Sequence, residues 1–474
     1  MDKQEFRKYA HQLVDWMADY LEEKENYPVT PSVKPREIYD QLPSTAPDQG
    51  EDFEKIFQDF QEIIVPGMTH WQHPAFFGYF PANNSEPSIL AEMLMSTLGA
   101  QCMSWLTSPA ATELEERVCD WLRDAKGIDS TWKGVIHDTA STATLSAILT
   151  ARERKSNWGI NEKGFSGKEH YRIYSSSHVH SSIDKAIRIA GLGVDNLVRI
   201  EVDEEFAMIP EALEAAIQKD IDAGKTPLCV VSALGTTSST AVDPIGKISE
   251  ITQKFGIWHH IDAAFAGTAL FLPEFQSLIN GHEAADSYVF NPHKWMFTNF
   301  DCTVLFLKDP KDLVQTFSLT PEYLKTDLDK EVNNYRDWGI QLGRRFRALK
   351  LWFVIRSYGL NGIREKLRHH LMLTQKVVQW IHQTDDLEIL APVKFNTICF
   401  RQKLSSGDQN AENQFNEKWM AAVNETGKAF FSHTKLNGKY VIRWVIGQTD
   451  VTEKHIESAW VLLLETRQKL LQEI

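Results

Sequence analysis

A chain of 474 residues with 43% hydrophobic content can bury a large core, in two or three domains or in one two-lobed body. Its 50 basic and 64 acidic residues leave a formal charge of −14, which repels a polyanion; with no zinc finger, basic helix or RNA-binding aromatic motif, no nucleic-acid partner is expected. The five cysteines (Cys102, Cys119, Cys229, Cys302, Cys399) are scattered and odd in number, so neither a disulfide framework nor a metal site is expected, and a reducing, cytoplasmic compartment is.

The first segment, "MDKQEFRKYAHQLVDWMADYLEEK", has no continuous apolar run of the signal-peptide kind, and no later stretch is apolar for long enough to span a bilayer, so no membrane partner is expected. It reads as an amphipathic helix with Phe6, Ala10, Leu13, Val14, Met17 and Leu21 on one face, ended by Pro28, Pro31 and Pro35. With no evident core of its own, this helical arm (residues 1–85) is expected to pack on something else, such as a second subunit. Beyond it the pattern becomes α/β. Strands are predicted at 134–139, 171–177, 198–203, 228–234, 258–265, 287–292 and 302–308, with helices between them. Alternation of this kind predicts a mainly parallel seven-stranded sheet with helices on both faces, spanning a large domain at 86–350. A smaller α+β domain at 351–474 has strands in "FNTICF" and "YVIRWVIG" and a last helix from about Thr452.

Parallel sheets gather ligands at the carboxyl ends of their strands, and that is where the chemically suggestive residues fall. No Gly-x-Gly-x-x-Gly, P-loop, His-Glu-x-x-His or Gly-x-Ser-x-Gly is present, which weighs against a dehydrogenase, an NTPase, a zincin and an α/β-hydrolase. Asp262 in "HHIDAAFAG" ends an apolar strand. Alone it would read as a helix cap or half of a buried ion pair; it could also accept a protonated pyridine nitrogen. Lys294 in "NPHKW" ends another such strand, where desolvation makes an amine nucleophilic toward an aldehyde. Thr139, Ala140 and Ser141 stand at a turn into a helix, either as ordinary caps or as an anion site. His180 in "SSSHVHSSIDKA" could stack on an aromatic cofactor, with His178 a competing choice. Together these residues suggest pyridoxal phosphate, anchored as a Schiff base on Lys294.

Taken in order, "DTASTATL", "HSSIDKA", "GTTSSTAVD", "HIDAAFAG" and "FNPHKW" resemble the group II pyridoxal-phosphate decarboxylases, and most closely the aromatic L-amino acid decarboxylases. "HPAFFGYFP", "SPAATELE" and "GRRFRALKLWFV" extend the resemblance over nearly the whole chain. It implies the fold-type I, aminotransferase-like architecture and a homodimer with active sites at the subunit interface. It implies that Lys294 forms the internal aldimine, that Asp262 pairs with the pyridinium, that His180 stacks on the ring and that Ala264 packs on its opposite face. Thr139, Ala140, Ser141, Asn291 and His293 would surround the phosphate, and Thr237 would lie beside the ring substituents. Tyr323, in "PEYLK", occupies the position of the family's catalytic tyrosine, a general acid toward Cα after carbon dioxide leaves.

The substrate pocket implied by the same resemblance comprises Trp71, Tyr79, Phe80, Pro81, Ala82, Gln101, Met103, His180 and Gly343, with Gln101 and Met103 entering from a partner subunit. Arg443 matches a family arginine near the site. Aromatic walls favour an aromatic side chain, and Gly343 leaves room for a bulky one. Ala82 and Met103 depart from the threonine and phenylalanine of animal relatives and leave the exact substrate open. Decarboxylation of tryptophan, tyrosine, phenylalanine or a hydroxylated relative is therefore expected. The alternatives are an oxidative aldehyde synthase on the same scaffold, against which Tyr323 argues, and a decarboxylase of a non-aromatic amino acid, which would call for a cationic pocket. A catalytically silent homologue is disfavoured by the intact Lys294, Asp262, His180 and Tyr323.

Overall fold

The computed structural model describes residues 1–319 and 331–473. The chain divides into two compact units: Met1–Pro81 groups with Gln375–Glu388 and Phe400–Ile474, and Ala82–Thr374 groups with Ile389–Cys399.

In the larger unit the seven predicted strands form one sheet. They are β1 (Lys133–His137), β2 (Tyr171–Ser176), β3 (Leu197–Ile200), β4 (Thr226–Ala233), β5 (Trp258–Asp262), β6 (Ser287–Phe290) and β7 (Thr303–Leu307), in the order β1-β7-β6-β5-β4-β2-β3. Strands β3, β2, β4, β5 and β6 are parallel, whereas β7 is antiparallel to β6 and to β1. Two reversals restore direction, so β1 runs with β6. The carboxyl ends of β1, β2, β4, β5 and β6 therefore share one edge, to which β7 brings its first residue.

Burial alternates across this sheet as the pleat requires. Ile173, Cys229, Val231 and Leu305 face a core shared with Ala143, Ile148 and Ala151 of the helix Ala140–Lys155. Tyr174 and Val230 face the other core, with Leu213 and Ile217 of the helix Pro210–Asp222 and Ile248 of the helix Ile245–Phe255. Covered on both faces, the inner strands can be apolar throughout; every β5 residue is buried. Two predicted strands end early for a local reason. The Ala264 amide turns back onto the Asp262 carboxylate at 3.0 Å, and the Thr139 amide onto Asp138 at 2.6 Å, so each chain leaves the ladder at a self-capping acid.

In the smaller unit the helix Lys3–Glu23 opens with a capping box formed by Asp2 and Glu5. Contrary to expectation, the arm has an aromatic cluster of its own. Tyr9 packs on Phe53 at 4.5 Å, and Trp16 meets the edges of Phe57 and Phe60 at 6.0 and 5.2 Å. The face carrying Tyr9 and Trp16 is the one that packs, leaving Phe6 62% and Val14 42% exposed. A second, four-stranded sheet has the order β10-β11-β9-β8, with β8 (Leu387–Ile389), β9 (Thr397–Gln402), β10 (Ser432–Leu436) and β11 (Lys439–Val445); Ile389 and Thr397–Cys399 group with the larger unit. The tight turn between β10 and β11 uses Asn437 and Gly438, both at positive φ. The last helix, Glu453–Leu471, starts at the expected Thr452 cap. No helix among the described residues is long and apolar enough to cross a membrane.

Candidate active site

Asp262 is the last residue of β5, the middle strand, and is 8% exposed. Its backbone is held on both sides: its carbonyl accepts the Leu234 amide at 2.9 Å, and the next amide, of Ala263, donates to Val289 at 2.9 Å. One carboxylate oxygen is occupied by the Ala264 amide, so the side chain has a fixed direction. The turn after β4 leans against the same place. Gly235 has φ 92°, and a Cβ there would stand 2.5 Å from the Ala266 side chain, so only glycine lets the turn bearing half-buried Thr237 come this close.

Lys294 sits in the short helical turn Pro292–Trp295 that follows β6, and is half-buried. Its neighbour orients it. Trp295 is fully buried, stacks on Phe265 at 5.2 Å and donates its indole N–H to His370 Nδ1 at 2.9 Å. With Trp295 locked into the core, the turn cannot rotate. Asn291 precedes it, with its amide bonded to the Ala264 carbonyl at 3.0 Å, so the lysine turn is tied to the loop after Asp262.

His180 follows β2 and keeps an exposed face. Its Nδ1 accepts the Ser182 amide at 3.0 Å, which leaves the proton of the neutral ring on Nε2. Partial burial lowers its pKa, the Lys294 charge lowers it further and Asp262 acts in the opposite sense. The three groups thus share one electrostatic neighbourhood. His178 is turned away, its ring packed on Phe206 at 5.2 Å, and burial alone lowers its pKa. Of the two candidates, His180 is the one that feels Lys294 and Asp262.

At the end of β1, Thr139 caps the helix Ala140–Lys155, its side chain accepting the Thr142 amide. The Ala140 and Ser141 amides belong to the first helical turn, where no intrahelical acceptor exists, at the positive end of the helix dipole. A hydroxyl not anticipated from sequence joins this turn to the lysine turn. Thr303, first residue of β7, reaches the Asp138 carbonyl at 3.1 Å and Asn291 Oδ1 at 2.9 Å. Because Asn291 Oδ1 is occupied, its NH2 group is the part left to donate. His293 spends Nδ1 on the Cys302 amide at 2.9 Å, and burial, helped by the Lys294 charge, pushes its pKa down to about 3. It is a neutral ring with Nε2 left to reach an anion. The sequence signal for Thr303 was faint: a hydroxyl residue heading a strand otherwise apolar.

The substrate-side residues fall in both units. Ala82, Gln101, Met103 and Gly343 belong to the larger one, where a Cβ on Gly343 would stand 3.2 Å from Gln101 Nε2. Trp71, Tyr79, Phe80 and Pro81 belong to the smaller. There Trp71 and Tyr79 stack at 5.9 Å, and Arg443 lies over the Phe80 ring at 5.2 Å while donating to Ser432 at 3.0 Å. Tyr323 lies outside the described residues. Among the described residues no cluster of histidine, cysteine or acidic side chains could hold a metal ion.

A carboxylate, a lysine, an imidazole with an open face and a hydroxyl-rich helix start, gathered on one sheet edge, match the three ends of pyridoxal phosphate: its ring nitrogen, its aldehyde and its phosphate. Residues 35–403 match the family model of the pyridoxal-dependent decarboxylase conserved domain. The chain belongs to the pyridoxal-dependent decarboxylase family. This decarboxylase is 40% identical to a phenylacetaldehyde synthase of Arabidopsis thaliana over 99% of this chain and 97% of that one. It is also 40% identical to tyrosine decarboxylase 2 of Narcissus pseudonarcissus, over 97% of this chain and 93% of the other. Its fold superposes on an Oryza sativa TDC, solved with PLP and tryptamine, with a TM-score of 0.95, 34% identity and 99% of both chains covered. The fold is that of the fold-type I decarboxylases, and the chain is a pyridoxal-phosphate-dependent carboxy-lyase.

Proposed function

We propose that this decarboxylase converts an aromatic L-amino acid to the arylalkylamine and carbon dioxide. The observation that carries this reading is the meeting of Lys294, Asp262 and His180 at one sheet edge beside the start of the helix Ala140–Lys155. The names of its relatives, which act on or yield aromatic compounds, set the substrate class.

Bound pyridoxal phosphate would supply an electron sink for the pair left at Cα when carbon dioxide departs. The residues of the chain do the rest. Asp262 accepts the ring N–H and keeps that proton in place. His180 would cover one ring face, and Ala264, small enough to allow close approach, the other. Lys294 would carry the amine that bonds the aldehyde carbon. The Ala140 and Ser141 amides, the Thr139 and Ser141 hydroxyls, the Asn291 NH2 group and His293 Nε2 hold the phosphate. Tyr323 delivers the proton to Cα. The substrate residues of this reading are His180, Ala82 and Gly343 in the larger unit, Trp71, Tyr79, Phe80 and Pro81 in the smaller, and Gln101 and Met103 supplied by a second subunit.

The protein works as a homodimer in this reading. Leu90, Leu94 and Leu98 form an exposed stripe on the helix Glu86–Leu98, at 54, 48 and 64% exposure, which a second copy would cover. Five free, buried cysteines fit a reducing, cytoplasmic setting.

The test is an assay of amine, aldehyde and hydrogen peroxide released from tryptophan, tyrosine and phenylalanine, with glutamate as control. Amine as the main product is expected, and Lys294→Ala should be colourless and inactive. A colourless Lys294→Ala protein that still decarboxylates would overturn the mechanism. The similarity to a phenylacetaldehyde synthase favours one second reading, oxidative release of an aldehyde. Tyr323 separates the two: Tyr323→Phe should shift the products from amine toward aldehyde, peroxide and ammonia, with oxygen consumed.

A further inference from the structure

Two segments far apart in sequence, around Gln101 and around Gly343, are joined backbone to side chain. The Arg344 amide donates to Gln101 Oε1 at 2.8 Å, the Cys102 amide donates to the Arg344 carbonyl at 2.9 Å, and the Arg336 amide donates to the Met103 carbonyl at 2.8 Å. The Arg344 side chain then bolts this joint to the sheet. Its Nη2 meets Glu115 Oε1 at 2.6 Å and the Ile136 carbonyl at 2.8 Å, and its guanidinium lies 4.7 Å from the centre of the Tyr335 ring. Glu115 Oε1 also accepts the Ile136 amide at 2.8 Å. Arg344, Glu115 and Tyr335 are 8, 3 and 3% exposed.

A buried ion pair of this kind contributes little net stability, because desolvation offsets the attraction. Here the cost is higher still, since Arg344 Nη1 is buried without a hydrogen-bond partner. What the arrangement does provide is geometry. A planar fork that bonds two acceptors on one side and stacks on an aromatic ring fixes its own backbone in all directions.

We propose that Arg344, held by Glu115, is the positioning residue that sets the separation of Gln101 and Gly343 and so selects the size of the substrate side chain. This rests on the reading of Gln101 and Gly343 as substrate-side residues. The wall they form is tight, with Gln101 Nε2 3.2 Å from where a Gly343 Cβ would stand, so a shift of a few tenths of an ångström changes what fits beside it.

Arg344→Lys keeps the charge but loses the planar face that lies on Tyr335 and the fixed angle at which Nη2 bonds both Glu115 and Ile136. In the holoenzyme it should retain bound cofactor, read by absorbance per chain, while KM for tryptophan rises about tenfold and kcat changes less than about twofold. The ratio of kcat/KM for tryptophan to that for tyrosine should move by about fivefold or more. Gln101→Ala leaves the ion pair intact, removes one strut of the joint and should move the same ratio. An unchanged ratio in Gln101→Ala, or an equal fall for both substrates in Arg344→Lys, overturns the proposal. Hydrogen exchange at the Cys102 amide gives a readout independent of activity. It should quicken in Arg344→Lys, and unchanged exchange there overturns the proposal even if the wild-type protein releases no carbon dioxide from any aromatic amino acid, a result that would itself sink the functional reading.

Discussion

Replacing Asp262 by asparagine keeps an acceptor for the Ala264 amide, now 3.0 Å away, but removes the negative charge from the end of β5. The fold should therefore hold while a protonated cofactor ring loses its counterion. Asp262→Asn should melt within about 2 °C of wild type and lose about a hundredfold or more in kcat, since positioned acid–base partners contribute at least that much. Equal loss of fold and activity would count against the assignment. His180 tests the other axis. His180→Phe keeps an aromatic face but not the Nδ1 acceptor for Ser182, so it should bind cofactor more weakly while still binding it; His180→Ala should bind it weakest of the three. Cofactor titration followed by absorbance ranks them.

The lysine turn and the phosphate turn meet at Thr303, whose hydroxyl touches both Asp138 and Asn291. Thr303→Val preserves shape but removes the hydroxyl proton within reach of both acceptors. It should cost about 1–3 kcal/mol in denaturant-derived stability and should also weaken cofactor retention, because Asn291 becomes free to flip. Much of this site was legible in the sequence because each reactive group follows an apolar β-branched run, and such runs stop where the ladder stops. Asp262, Lys294 and the Thr139 turn were found that way. Thr303, the Trp295–His370 bond and the Arg344–Glu115 pair were not, because their meaning lies in partners distant in sequence and no local pattern marks them. Strand ends were misplaced at Asp138 and Asp262 for a related reason: a side chain bonding its own backbone ends a strand without a glycine or proline to announce it. The packed face of the first helix was missed because helical spacing scored purely apolar residues and overlooked Tyr9 and Trp16, whose rings carry a polar atom.

Acid sensitivity belongs to the molecule as a whole. In the larger unit burial holds His137, His259 and His293 at about 3 and His260 at about 4, all neutral inside the fold. Unfolded, each would bind a proton near the ordinary value of 6.5, so the unfolded state gains protons as pH falls. Stability from these groups is present above about 6.5 and is lost on acidification, by about 1.4 kcal/mol per pH unit for each. Asp243, raised to about 6 by burial, and Asp286, also raised by burial, have the opposite sign, two groups against four. The melting temperature should therefore fall steeply between pH 6 and 4.5, and a flat profile across that window would contradict the buried, neutral assignment. The order of the sheet carries a further consequence, for the birth of the protein. Strand β1 enters the sheet by pairing with β7, His137 opposite Thr303, although most of the larger unit's sequence lies between them. The Thr139 turn therefore has no anchor until β7 has emerged from the ribosome, roughly 10–30 s of synthesis later at ordinary elongation rates. Cofactor capture waits for β7, and chains released before Thr303 should be unable to keep it.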